Sequence, residues 1–193
     1  MIVEQFKNLE IVNILNCRKC SLWKTRRQVV IGRGSIPANL LLMGEAPGRT
    51  EDLKGEAFIG TSGRLLDRMM NDACLLGMGI PLVKPSFFMV NTILCHPTDK
   101  FAGPNREPKK EEVYACLPNI DFIIKQVNPK KIILIGDVAY QYYKKEFPDA
   151  IKITHPAALG KKGGTKAPNY MYNVRTIQDV FISLQPQYLQ RKI

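Results

Sequence analysis

At 193 residues, with 45% hydrophobic and 23% charged residues, the chain has the make-up of one ordinary globular domain, which excludes a disordered or fibrous protein. Lys and Arg (28) outnumber Asp and Glu (17), the formal charge is +11, and basic pairs recur at Arg26-Arg27, Lys109-Lys110, Lys130-Lys131, Lys144-Lys145 and Lys161-Lys162. That balance implies a polyanionic partner, most often nucleic acid, against the plainer reading of a merely basic solvated surface.

The N-terminal stretch from about 3 to 16 is mildly amphipathic and predicts a helix leading into Cys17-Arg18-Lys19-Cys20. Near-continuous apolar runs at 39–44, 86–94, 130–136 and 150–154 predict four strands covered on both faces. Between them, Leu65, Leu66, Met69, Met70, Ala73 and Leu76 mark a helix over 62–76, with Thr61 or Ser62 as its N-cap. Val113, Leu117, Ile120, Ile124 and Val127 mark another over 110–127, expected to kink or restart at Pro118. A third helix starts near Asp137, and Val174, Ile177, Phe181 and Leu184 place the last at about 173–184. The fold class is therefore α/β, a three-layer single domain over 1–193 with a central four-stranded, mainly parallel sheet flanked by helices. Segments 96–108 and 155–168, rich in Gly, Pro and basic residues, are expected as loops. With the turn at 44–60 they should converge at the carboxyl ends of the strands, where ligands bind in open α/β sheets. No apolar run reaches the roughly 20 residues of a bilayer span. No leader is visible at the N-terminus, so a soluble, intracellular protein, cytoplasmic or nucleoid-associated and without a membrane partner, is expected, and its size makes a monomer the default.

Reduced thiols are expected in that compartment, so the five cysteines read as metal ligands or core residues. Cys17-x-x-Cys20 is a chelating pair, and Cys95 and Cys116 supply a second. Four soft ligands suit either tetrahedral zinc or an iron–sulfur cluster, and spacing does not choose between them. The plainer alternative makes Cys95 and Cys116 buried structural thiols, and Cys74 reads as core. The turn "GEAPGRTEDLKGEAFIG" (44–60) lacks both the Lys-Ser/Thr of a P-loop and the G-x-G-x-x-G of a dinucleotide fold. Its carboxylates, Glu45, Glu51, Asp52 and Glu56, would repel phosphate but suit the orientation of a water or the stabilisation of a developing cation. That chemistry fits hydrolysis of an N-glycosidic bond, with Phe58 stacking on an extruded base and Asn91 reading its edge. His96 and His155 each precede proline and stand as rigid posts at strand ends.

In order, "CRKC", "GEAPGRTEDLKGEAFIGTSGRLLD", "NTILC", "PNREPKKEEVYACLP" and "HPAAL" resemble the family 4, iron–sulfur uracil-DNA glycosylases, from about Cys17 to Leu159. The resemblance implies a DNA-repair enzyme that excises uracil from single- or double-stranded DNA and leaves an abasic site. It also implies a structural [4Fe–4S] cluster on Cys17, Cys20, Cys95 and Cys116. By position, Glu45 becomes the acidic residue for water or cation, with Ala46 beside it. Glu51 and Asp52 become weaker candidates, Phe58 the stacking ring, Asn91 the uracil-edge reader and His155 the stabiliser of charge on O2 of the departing base. Asn105 and Arg106 take the place of an Asn-Arg pair with DNA or cluster-loop roles. Leu159, Lys161 and Lys162 stand where the family places residues that enter or grip DNA, Leu159 being the obvious wedge. The chain departs from the pattern in a short segment between Gly136 and His155 and in "HPAALGKKGGTK", which lacks the family's bulky residue and arginine. The 96–104 loop also lacks the basic, histidine-containing sequence of relatives that bond covalently to uracil-DNA. Two other readings remain at this point: a catalytically altered nucleic-acid-binding module of the same fold, and a zinc-bound structural protein. A preference for deaminated purines is compatible with the same motifs.

Overall fold

In the computed structural model, residues 2–6, 10–76 and 82–185 are described. Five strands form one sheet in the order β1-β3-β2-β4-β5: β1 (Arg33–Gly34), β2 (Leu40–Gly44), β3 (Phe87–Asn91), β4 (Lys131–Ile135) and β5 (Ile151–Ile153). The four expected strands are the four parallel ones; β1 adds a short antiparallel edge against β3. Alternate side chains on the strands serve two separate cores, which makes the three layers. Leu41 and Met43 of β2 pack with Phe88, Val90 and Leu134 against α1 (Glu10–Leu15), α4 (Lys110–Val127) and α5 (Gly136–Tyr143). Leu40 and Leu42 pack with Met89, Ile133 and Ile153 against α3 (Thr61–Leu75), α6 (Pro156–Lys161) and α7 (Tyr170–Ser183). Among the described residues, no helix is long and apolar enough to cross a membrane.

Four sequence expectations need correction. The N-terminal helix is a 3₁₀ turn (Ile2–Gln5) followed by α1 at 10–15, while residues 7–9 lie outside the described set. Of the kink or restart expected at Pro118, the restart is absent, since α4 is one helix through that residue. Proline there removes the bond to the carbonyl of Tyr114, and both residues lie on the solvent face, where water can take that carbonyl. An interior proline costs about 3 kcal/mol. The buried stripe Val113, Cys116, Ile120, Ile123, Ile124 and Val127, at roughly 2 kcal/mol per side chain, outweighs it. The turn at 44–60 contains a short helix, α2 (Arg49–Lys54), and the loop at 155–168 begins with α6. Finally, α3 is capped by Gly60 rather than by Thr61 or Ser62.

The four parallel strands end together. Gly44 pairs with Asn91 in the β2/β3 ladder, and Thr92 donates both its amide and its hydroxyl to the Gly44 carbonyl at 2.8 Å. β2 lies between β3 and β4, so connections leave it in both directions and open a crevice at its carboxyl end.

Candidate active site

That crevice is a pocket of about 590 Å³ lined from all three polar segments: Glu45 to Gly63, Asn105 to Glu107, and His155 to Lys161, with Asn91 at its floor. It continues past Glu45, Glu107 and His155 into a second hollow of about 480 Å³ bounded by Asp137, Lys152 and Tyr172. The expected convergence of the loops is present.

Glu45 follows β2 directly and is half-buried. Burial, and secondly the negative charge of Glu107, push its carboxyl above the usual range. Ala46 lines the pocket beside it and packs its methyl toward the α4-side core. Phe58 is buried with φ of 57°, a left-handed conformation unusual for an aromatic residue. Two glycines permit it: a Cβ on Gly63 would lie 1.8 Å from the Phe58 carbonyl oxygen, and one on Gly44 would lie 2.6 Å from Phe58 Cζ. The same Cβ would lie 2.9 Å from Asn91 Oδ1, so Gly44 admits both the ring and the amide to one space. Asn91 is buried and lines the pocket with no side-chain hydrogen bond among the described residues.

His155 is the N-cap of α6, with Pro156 at the first helical position. Its Nδ1 accepts the Ala157 amide at 3.1 Å, so the proton of the neutral ring sits on Nε2. Burial lowers its pKa and favours that neutral form. Gly136, at φ of 86°, lies against the ring: a Cβ there would be 3.2 Å from His155 Cδ2.

Other singled-out residues prove to be engaged by the protein itself. Glu51 accepts the Gly48 amide at 3.1 Å and the Gly60 amide at 2.7 Å, closing the loop around α2 and leaving neither oxygen uncommitted. Asp52, 1% exposed, accepts the Arg27 amide at 2.9 Å. Asn105 lines the pocket with its Oδ1 on His96 Nε2 at 2.8 Å. Arg106 also lines the pocket, but its guanidinium is bound by Glu112 at 2.6 and 2.9 Å and by Asp99 at 2.9 Å. Leu159 is 1% exposed and packed in the α7-side core, which is incompatible with a wedge standing out from the surface. It faces inward because α6 puts it one turn from buried Pro156. Lys161 lines the pocket, and Lys162 is exposed beside it without lining it. The sequence reading missed Glu107, Arg49 and Ser62, all of which line the pocket. Only for Glu107 was there a signal, the acidic interruption of a basic loop.

The cysteines form a separate site. Cys17 and Cys20 flank the segment before a 3₁₀ turn (Ser21–Lys24), Cys95 follows β3, and Cys116 lies on α4. All four line one small cavity. Arg26 Nη1 donates to Cys95 Sγ at 3.2 Å, and its Nη2 donates to the Cys17 carbonyl at 2.6 Å. Asn119 Nδ2 donates to Cys17 Sγ at 3.5 Å. Burial pushes the Cys95 and Cys116 thiols up to about 12. Cys74 is half-buried and packs against the α7-side core.

A profile described as "Uracil DNA glycosylase superfamily" matches residues 31–192. The chain belongs to that superfamily. Its similarity is to type-4 uracil-DNA glycosylases: 34% identity over 72% of this chain with the protein so named from Saccharolobus solfataricus, and 37% over 67% with that from Archaeoglobus fulgidus. Those alignments span 60% and 59% of the relatives' lengths, so the chain covers little more than half of each. The type-4 uracil-DNA glycosylase of Thermotoga maritima is 30% identical over 87% of this chain and 85% of its own length. For a member of the uracil DNA glycosylase superfamily, the pocket at the ends of β2 and β3 is the candidate catalytic centre, and the four-thiol cavity at α4 is a separate candidate metal site.

Proposed function

We propose that this chain is a monofunctional uracil-DNA glycosylase that hydrolyses the N-glycosidic bond of uracil in DNA and leaves an abasic site. The observation that carries the reading is the joint presence in one pocket of Glu45, Phe58, Asn91 and a neutral His155 whose proton lies on Nε2. The target nucleotide rotates out of the DNA stack, and Phe58 stacks on its base. Asn91 pairs one donor and one acceptor with the uracil edge. As the bond from C1′ to N1 breaks, its electron pair departs with the base, and His155 Nε2–H donates to O2 where negative charge collects. Glu45, ionised, favours the positive charge left on the sugar and orients the water that adds to C1′; the proton released from that water goes to solvent through the carboxylate. Arg49, Ser62 and Lys161, around the same opening, suit the flanking phosphates.

The thiol site suits a [4Fe–4S] cluster. Cys17, Cys20, Cys95 and Cys116 all line one cavity, and four thiolates are the donor set such a cluster takes. Arg26, donating to Cys95 Sγ, opposes the burial that disfavours the thiolate such a group requires. Bound there, a cluster would clip the N-terminal segment to β3 and α4; no step of excision is assigned to it.

The test is base release from end-labelled oligonucleotides carrying one uracil, single-stranded or opposite G or A, followed by alkaline cleavage. Iron-loaded protein should give uracil-dependent cleavage that Glu45→Ala loses. Protein that binds these DNAs with its iron in place and releases no base would overturn the reading in favour of a binding module.

A further inference from the structure

A second surface, outside the excision pocket, has the chemistry of a nucleic-acid contact. Beside the thiol site lies a shallow trough of about 330 Å³ lined by Arg18, Trp23, Arg26 and Arg27, with no acidic residue in its wall. Trp23 is 39% exposed, and the Arg18 guanidinium and the Lys24 ammonium lie 5.0 and 5.8 Å from its ring centroid. Next to it the Arg27 guanidinium lies 4.5 Å from the centroid of Phe101, which is 59% exposed. Arg26 is committed to the Cys17 carbonyl and Cys95 Sγ, which fixes the floor of the trough. Arg18 and Arg27 have no carboxylate partner among the described residues, so their charge is available to an anion. Exposed rings bracketed by unpaired cations suit alternating bases and phosphates of an unpaired strand. They suit a duplex poorly, because its base faces are already stacked.

Two connections tie this surface to the pocket. Phe101 is on the same loop as Asn105 and Glu107, which line the pocket. The Arg27 backbone is held by Asp52 of α2, the helix whose Arg49 also lines it. We propose that the trough takes a nucleotide of single-stranded DNA outside the excised position, its base on the Trp23–Phe101 platform and its phosphate between Arg18 and Arg27. The proposal rests on the reading of the protein as a DNA enzyme, but not on its catalytic residues.

Trp23 is the single tryptophan of the chain, so its emission reports on the trough alone. Iron-loaded protein is titrated with a uracil-free single-stranded oligothymidine, following Trp23 fluorescence and, in parallel, the anisotropy of labelled DNA. Binding should quench Trp23 in step with the anisotropy. Trp23→Ala and Phe101→Ala should each weaken single-strand affinity by about tenfold, and Arg27→Ala should reduce the salt slope by about 0.7. Excision of uracil should show a raised KM at unchanged kcat on a long single strand, and no change on a substrate trimmed to the few nucleotides around uracil. Unchanged emission during binding, unchanged affinity in the variants, or an equal loss on duplex and single strand would each overturn the proposal. If Trp23→Ala sheds iron, Phe101→Ala, on a separate loop, decides the matter. Quenching by DNA without excision leaves the trough standing and removes the glycosylase reading; excision with unaltered affinities does the reverse.

Discussion

Burial and the neighbouring Glu107 both resist ionisation of Glu45, while burial holds His155 neutral and the Ala157 amide fixes its proton on Nε2. The proposed chemistry needs Glu45 charged and His155 in that tautomer, so activity should fall as pH drops below neutrality. The limb should begin above the usual carboxylate range, because the Glu45 carboxyl is raised. Glu107→Gln removes a like charge, which favours the ionised Glu45 and should move the acid limb to lower pH; burial, the larger cause, remains, so the move is partial. A kcat/KM profile on a single-stranded uracil oligonucleotide measures this, and a limb that stays put or moves up removes Glu45 from the titration. His155→Ala deletes the donor to the leaving base and should cost about 100- to 1,000-fold in kcat, with KM little altered, in single-turnover assays. Asn91→Asp trades a donor for a second acceptor at the uracil edge and should weaken uracil and shift base choice. Cleavage of a mixed panel of deaminated bases at normal rates by that variant would remove the role.

At the scale of elements, the loops are rigid because buried side chains close them. Gly44→Ala would place a methyl 2.6 Å from Cζ of the buried Phe58 ring and 2.9 Å from Asn91 Oδ1, so the ring has to move within packed surroundings. KM for uracil-DNA should therefore rise severalfold, with a stability loss of roughly 1–3 kcal/mol from the overpacking. The Arg106–Glu112 pair closes the 96–108 loop onto α4, and the Glu112 side chain is fully buried. Arg106→Ala leaves that carboxylate without its partner and should cost about 3 kcal/mol, the lower end for broken buried pairs because Arg106 retains some solvent contact. A urea midpoint on iron-loaded protein would show it. The parallel strands were legible as continuous apolar runs, and α3, α4 and α7 as apolar stripes at helical spacing long enough to be seen. α2 and α6 have six residues each, too few for a stripe, and exist because Glu51 and His155 supply their end contacts. With α6 unseen, Leu159 was read as an exposed wedge rather than the inner face of a helix. Likewise Glu51, Asp52 and Arg106 look reactive as letters, and only their hydrogen bonds show them closing loops.

At the scale of the molecule, the pocket was legible in outline, since three polar segments follow strand ends and such ends collect ligands. The trough was not, because Trp23 and Phe101 are far apart in sequence, and only the fold brings Arg27, which lies over Phe101, into the same wall as Trp23. The four cysteines come from three separate stretches of chain, so whatever they bind joins the N-terminal segment to β3 and α4. Without it, burial keeps Cys95 and Cys116 as thiols, and the segment is held by Arg26, Asn119 and the packing of Ile11, Ile14 and Leu22 against Cys116 and Ile120. Loss of the metal centre should accordingly lower the thermal midpoint and open the stretch around residues 10–27 to protease well before α3 and α7, which pack on the opposite face of the sheet. Iron and acid-labile sulfide in equal amounts, falling together in Cys116→Ala, are expected from elemental analysis. Zinc without sulfide would contradict the cluster, and uniform proteolysis of both faces after metal removal would contradict its role as a local clip.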